Sequence, residues 1–154
     1  MYEEILNGHG VDIAALLETT FTEQHDEMVL IRDIPFFSIC EHHLLPFLGK
    51  AHIGYIPKGR VAGASKLVRV LKVEAMKLQL QERLTKNVAD ILMHELKPTG
   101  VGVVIEAEHL CMSIRGVKSF GAKMITSAMR GGFRTSESTR SEFLSLIRYP
   151  KGNL

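Results

Sequence analysis

Two short segments, far apart along the chain, carry residue types that bind transition metals. In the first, a Cys-Glu-His-His run, Cys40 and His43 are separated by two residues. That spacing lets a tight turn direct both side chains at one ion. In the second, His109 and Cys111 are two residues apart in a segment with strand-like patterning, so both side chains project from the same face. A thiolate from each segment together with an imidazole is typical of a zinc site.

The number of ligands distinguishes a structural metal site from a catalytic one. Two cysteines and two histidines complete a structural tetrahedron, whereas two cysteines and one histidine leave a position for water. Three histidines are candidates, namely His42, His43 and His109. This is more than a three-ligand site needs, and the surplus indicates acid–base work beside the metal. The competing interpretations are a purely structural ion, or cysteines that are simply small buried side chains.

A second set of residues has the chemistry of an anion site. Ser65, Lys66 and Arg69 fall at the start of a predicted helix, with Ser65 as its N-cap, and they share one side of it. A helix N-terminus with such side chains suits a polyphosphate. Arg115 follows the segment of Cys111 and is a candidate anion contact near the metal. The alternative for all of these residues is a solvated basic surface.

Gln81 and Glu82 are polar residues at the start of the second half of a long helical region. Their default interpretation is an exposed polar surface. A carboxylate accepts two hydrogen bonds side by side, however, so it can also bind a paired N–H edge such as that of guanine.

Length and composition limit the classes of protein to which the chain can belong. Its 154 residues correspond to a single domain, and 45% hydrophobic with 23% charged residues is ordinary for a globular protein. No apolar run reaches the roughly 18 residues of a membrane span, and the start, with Glu3 and Glu4, does not resemble a secretory signal. Two cysteines are too few for a disulfide scaffold. We therefore expect a cytoplasmic protein with both thiols available for metal or chemistry.

The net charge of +2 is unevenly distributed, with +6 from Arg115 onward and −4 before it. A basic C-terminal quarter can contact phosphates, another subunit or nucleic acid. Aromatic residues make up only 6% of the chain, and a polyphosphate ligand with subunit contacts accounts for the basic residues. We therefore expect no nucleic-acid partner.

The predicted elements must bring these residues together. Helical spacing begins at residues 12–17 and recurs in a long region that starts at Ser65 and breaks near residues 79–82, and a Thr-x-x-Glu capping box at 139–142 precedes a final helix. A functional turn is expected over residues 36–46. Strands are predicted at residues 28–34, 47–56, 101–114 and 122–130. This order favours an α+β domain in which helices cover one side of an antiparallel sheet.

Taken together, the motifs are similar to those of the GTP cyclohydrolase I family. The resemblance covers residues 1–147, and several motifs occur in the family's order and spacing. The matching stretches are CEHHL at 40–44, AHIGYIP at 51–57, SKLVR at 65–69, LQERLT at 80–85, EAEHLCM at 106–112, RG at 115–116 and TSAM at 126–129.

The resemblance implies a fold, a reaction and an assembly. The fold is the tunnelling fold, in which subunit sheets join around a ring into a barrel, with pentamers stacked as a homodecamer and active sites between subunits. The reaction is the zinc-dependent conversion of GTP and water to formate and 7,8-dihydroneopterin triphosphate, the first step of folate and pterin biosynthesis. Residues 1–154 would form one catalytic domain without the helical extension that usually precedes it in the family.

The resemblance also implies roles for individual residues. The runner-up, a non-catalytic zinc protein of the same fold, needs only the metal ligands. Our own hypothesis is that His109 protonates N7 of the purine, because it shares a strand face with Cys111. The implied zinc ligands are Cys40, His43 and Cys111. The implied catalytic residues are His42, His109 and Ser65. The implied triphosphate and ribose contacts are Ser65, Lys66, Arg69 and Arg115, and the guanine contacts are Gln81 and Glu82.

Overall fold

The computed structural model describes residues 1–148, which form a mixed α+β structure around one five-stranded sheet. No helix within these residues is long and apolar enough to cross a membrane. In chain order the elements are α1 (Tyr2–Ile5), α2 (Ile13–Leu17), β1 (Thr20–Thr22), β2 (Val29–Cys40), β3 (Pro46–Ile56), β4 (Arg60–Ala62), α3 (Ala64–Ala75), β5 (Leu78–Gln79), α4 (Gln81–Leu96), β6 (Gly100–His109), α5 (Leu110–Ser113), β7 (Lys123–Gly131), α6 (Gly132–Thr135) and α7 (Glu137–Arg148).

The main sheet has the strand order β5-β2-β3-β6-β7. Strands β2, β3, β6 and β7 are antiparallel to their neighbours, and the short β5 adds in parallel beside Ile39 and Cys40. The strands predicted at 28–34, 47–56 and 122–130 are confirmed in position. The strand predicted at 101–114 ends at His109, because residues 110–113 turn into the short helix α5. Strands β1 and β4 form a separate two-stranded ribbon.

Strand β2 is longer than predicted and continues through Pro35 to Cys40. The register of β2 against β3 shifts between Ile31 and Ile34, and Asp33 has a φ of 58° at this bulge. The bulge absorbs the irregularity, so Pro35 is accommodated within the strand opposite Lys50. The predicted turn over residues 36–46 is therefore reduced to the few residues after Cys40.

Helices α3 and α4 cover one face of the sheet, as the periodicity predicts. Alternate strand residues that point to this face, such as Ile53, Val103 and Ile105, pack with Leu71 and Leu84 in a core that excludes solvent. The predicted break in the long helical region is where β5 forms. This break turns the chain so that the first turn of α4 lies beside β6 and β7.

Helix α7 lies on the opposite face of the sheet, which the sequence did not predict. Its Phe143 packs with Phe133 and with Val104, whose side chain points to this face of the sheet, away from that of its neighbours Val103 and Ile105. A Cβ on Gly102 would lie 2.5 Å from the Phe133 ring, so a side chain at this position would displace these aromatics. The helix also begins before the predicted capping box: Ser136 Oγ accepts the Thr139 N–H at 3.3 Å.

Candidate metal centre and active site

Cys40, His43 and Cys111 converge at one end of the sheet. Their ligand atoms all lie within 4.8 Å of one another, and Cys40 Sγ is 3.8 Å from His43 Nδ1. Cys40 ends β2, His43 lies in the turn that follows, and Cys111 is in the short helix after β6. The two segments therefore meet, as predicted. Cys111 does not share a strand face with His109, however, because the strand ends at His109 and Cys111 lies in α5.

The turn after Cys40 is tight enough to aim His43 back at the cysteine. Leu44 N–H donates to Cys40 O at 2.8 Å, and Cys40 N–H donates to Leu45 O at 2.9 Å. Leu44 takes a φ of 53°, in the left-handed region that non-glycine residues seldom occupy. Such backbone conformations are concentrated at functional sites.

The electrostatics of the two thiols favour a bound cation. Burial and the neighbouring Cys40 sulfur both raise the pKa of the Cys111 thiol. A divalent ion would stabilise the Cys111 thiolate that burial and the Cys40 sulfur disfavour, since metal binding is coupled to deprotonation. Two sulfurs and one imidazole nitrogen form a donor set that fits zinc.

A carboxylate fixes the helix that carries Cys111. Glu108 Oε1 accepts the Ser113 hydroxyl at 2.6 Å and the Gly121 N–H at 3.2 Å, and the Ser113 bond is the main reason why the pKa of Glu108 is lowered. Glu108 thus closes both ends of the loop in which the exposed Arg115 lies. Sequence reasoning missed this residue because its partners follow it in an irregular loop.

His109 lies beside the metal ligands but makes different contacts. It is 9% exposed, its ring stacks on Phe47 with centroids 4.6 Å apart, and its Nε2 is 2.8 Å from Gln81 Oε1. Burial lowers the pKa of His109, and the nearby Glu82 carboxylate opposes that effect. Within the described residues, the ligand atoms that converge are those of Cys40, His43 and Cys111, without His109. The geometry therefore favours the ligand set of two cysteines and one histidine over the closed tetrahedron.

His42 and Glu82 are exposed near this centre, whereas Gln81 is buried. The His42 ring lies edge-to-face with His43 at a centroid distance of 6.1 Å. Glu82, in the first turn of α4, lines a cavity of about 550 Å³ between that helix and β7. Gln81 is 1% exposed, and its side chain is hydrogen-bonded within the protein rather than exposed for a ligand.

The structure places Ser65, Lys66 and Arg69 at the opposite end of the sheet. Ala62 N–H, just before α3, donates to the Tyr55 hydroxyl at 3.0 Å. Tyr55 is eight residues beyond Phe47 on β3, a distance of about 26 Å at about 3.3 Å per residue. Within one chain these residues therefore do not join the metal ligands. The prediction that Ser65 is the N-cap of this helix is wrong. Gly63 is the N-cap, and Ser65 lies in the first turn.

Comparisons with known proteins now bear on this site. The family model described as GTP cyclohydrolase I matches residues 1–148. The chain belongs to the GTP cyclohydrolase I family. It is 60% identical over 148 residues to "GTP cyclohydrolase 1" of Carboxydothermus hydrogenoformans, covering 96% of this chain and 77% of that protein. It is 58% identical over 149 residues to "GTP cyclohydrolase 1" of Pelotomaculum thermopropionicum, covering 96% of this chain and 79% of that protein.

A solved structure supports the fold of this GTP cyclohydrolase I family member. "Crystal structure of the archaeosine synthase QueF-Like in the apo form" matches with a TM-score of 0.55 and 18% identity, covering 68% of this chain and 94% of that one. At this identity the likeness concerns the fold alone, and the predicted tunnelling fold is confirmed.

Proposed function

We propose that this chain is a GTP cyclohydrolase I that converts GTP and a net single water to formate and 7,8-dihydroneopterin triphosphate, at the entry to folate and pterin biosynthesis in the cytoplasm. The observation that carries the proposal is the meeting of Cys40, His43 and Cys111 beside the buried His109. A structural metal site alone does not need that histidine or its hydrogen-bonded support.

Zinc would be held by the two sulfurs and the His43 imidazole. When bound, zinc supplies Lewis acidity, lowering the pKa of water toward about 7 and so making hydroxide available at neutral pH. Three protein ligands leave a coordination position for this purpose.

The neighbouring histidines would move the protons. C8 of a purine is a poor electrophile, and a proton on N7 makes it more reactive. His109 would take up a proton from water at its free ring nitrogen and pass it to N7. Opening of the imidazole ring, loss of formate and closure of the new ring need further transfers. His42, exposed beside His43, supplies a second imidazole for them.

Glu82 would bind the guanine. Its carboxylate can accept the N1–H and the amino group of the base together, and it lies in the first turn of the helix whose Gln81 contacts His109. A base held at Glu82 therefore lies next to the histidine.

The triphosphate would be bound by a second copy of the chain. The start of α3, which carries Ser65 and Lys66, lies at the Tyr55 end of β3. About 26 Å of strand separates Tyr55 from Phe47, the residue that stacks on His109 beside the metal ligands. A neighbouring copy can place its own α3 N-terminus beside the metal end of the first. Arg115, from the loop after Cys111, would contribute from the metal side, and Ser65 would act next to the ribose.

The edges of the sheet support this assembly. Strand β7 has β6 on one side, and β5 pairs with only Ile39 and Cys40 at the end of β2. Such strands offer backbone groups to another chain. Edge-to-edge joining would close a ring of subunits, and a pentamer, with two stacked as a decamer, is the assembly that we propose.

Turnover of GTP by zinc-loaded protein tests the proposed function. Oxidation of the product should yield a fluorescent pterin. Absence of product from an intact, zinc-bound oligomer would instead favour a non-catalytic zinc protein of this fold. Release of ammonia in place of formate would indicate a deaminase.

A further inference from the structure

The Gln81 side chain is surrounded by acceptors on one side. Its Nε2 lies 3.1 Å from Ile105 O, 3.0 Å from Met124 O and 3.0 Å from Thr126 Oγ1. Two of these are backbone carbonyls, which only accept. Rotating the amide would place Oε1 against them, and oxygen facing oxygen without a hydrogen is repulsive. The orientation of Gln81 is therefore fixed by β6 and β7.

The two threonines nearby are ordered in the same direction. Thr85 Oγ1 donates its one hydrogen to Gln81 O at 2.7 Å. Thr126 Oγ1, 2.7 Å from Thr85 Oγ1, must then donate to Thr85 and accept from the Gln81 amide. The two hydrogens of the Gln81 amide are shared among three acceptors, Ile105 O, Met124 O and Thr126 Oγ1, and Gln81 Oε1 is left pointing at His109.

This network decides which ring nitrogen of His109 carries hydrogen. Gln81 Oε1 can only accept, so His109 Nε2, 2.8 Å away, must donate. In a neutral imidazole the other nitrogen, Nδ1, is then the unprotonated one. Stacking on Phe47, with 1° between the ring planes, fixes the plane of the imidazole.

We propose that Gln81 is a positioning residue, which with Phe47 holds His109 as its Nε2–H tautomer and leaves Nδ1 as the atom that exchanges a proton with the substrate. The identity of the substrate in this proposal rests on the proposed function. The role differs from the guanine contact implied for Gln81 by the family resemblance, because both amide hydrogens of Gln81 are used inside the protein.

Steady-state kinetics separate positioning from base binding. Gln81→Met keeps the length of the side chain but removes the acceptor, and should lower kcat by about 10²-fold or more, with KM for GTP within about threefold of the parent. Gln79→Met is the matched control, because Gln79 is equally buried at 2% exposure and its amide donates to Glu74 O instead. It should keep kcat. A raised KM with unchanged kcat in Gln81→Met would overturn the proposal.

A spectroscopic measurement tests the tautomer without turnover or any substitution at Gln81. In zinc-loaded protein labelled with ¹⁵N-histidine, solid-state NMR distinguishes protonated from unprotonated ring nitrogens. The His109 signals are identified among the seven histidines by their loss in His109→Asn. We expect a hydrogen on Nε2 and none on Nδ1. The reverse pattern would overturn the proposal, even in a protein that turns over GTP. The expected pattern would support the assigned tautomer even if the protein proved not to turn over GTP.

Discussion

Arg83 forms a two-pronged ion pair with Glu41, joining the turn that carries His43 to the first turn of α4. Arg83 Nη1 lies 2.5 Å from Glu41 Oε2, and Nη2 lies 3.1 Å from Oε1. Glu41 N–H also donates to Gln79 O at 2.9 Å. The turn that carries His43 is thus tied to the start of α4, whose first two residues, Gln81 and Glu82, lie near the site.

This ion pair predicts a pH-dependent contribution to stability. The hydrogen bond from Arg83 lowers the pKa of Glu41 below its ordinary value. Because the folded-state pKa is depressed, the contribution is complete above the ordinary carboxyl pKa of about 4.3 and disappears as the pH falls through the lowered value. Melting temperatures of the parent and Glu41→Gln should therefore differ at pH 7 and converge below about pH 4. Glu23→Gln, in an exposed loop, controls for loss of one charge. A difference that grows on acidification would contradict the assignment.

Replacing Cys111 should remove the metal. Cys111→Ser substitutes a poorer zinc donor for one of the two sulfurs, and we expect both bound zinc and formate release to fall to background. Metal analysis by mass spectrometry, in parallel with the GTP assay, measures both. Met112→Leu, in the adjacent exposed position, should retain both. A Cys111→Ser protein with its full zinc content would show that the ligand set is wrong.

Glu82 should matter for GTP and not for zinc. Glu82→Gln replaces one acceptor oxygen by a donor, and losing hydrogen bonds to a charged acceptor costs about 1.5–3 kcal/mol. We expect kcat/KM for GTP to fall about 10- to 100-fold with zinc content unchanged. Glu95→Gln, at the other end of α4, is the control. Unaltered kinetics in Glu82→Gln would exclude its role in binding the base.

Shared active sites predict complementation between inactive variants. Cys111→Ser lacks the metal half of the site, and Lys66→Ala/Arg69→Ala lacks the phosphate half. When the two are co-expressed in equal amounts, about a quarter of the sites should combine two intact halves and regain activity. Co-expression of Cys111→Ser with Cys40→Ser, which damage the same half, should restore nothing. Equal failure of both pairs would contradict a site built from two copies.

The site residues that could be predicted from the sequence are those whose positions depend on residues close to them along the chain. Cys40 and His43 are neighbours on one turn, and Cys111 lies just past a strongly patterned strand. Spacing therefore indicates the geometry of Cys40 and His43 directly. For Cys111 it indicates only the end of the sheet, because the chain leaves the strand after His109. The alternating strand residues likewise indicate which face of the sheet is buried.

The remaining features depend on tertiary packing. Gln81 is a polar residue at a helix start, and only the docking of α4 on β6 and β7 buries it against their carbonyls. Similarly, Ser65 is 25 residues from Cys40 in sequence, yet the course of β3 and α3 places the two at opposite ends of the sheet. Helix α7 packs on the second face because Gly54 and Gly102 leave room there for Phe143.

Titration of zinc into metal-free protein, with formate and GTP both quantified, tests whether the reaction depends on the Cys40, His43 and Cys111 site. We expect no turnover without metal, and formate release that equals GTP consumed and rises with bound zinc to about one ion per chain. Turnover by the metal-free protein, or full zinc occupancy without formate, would contradict this expectation.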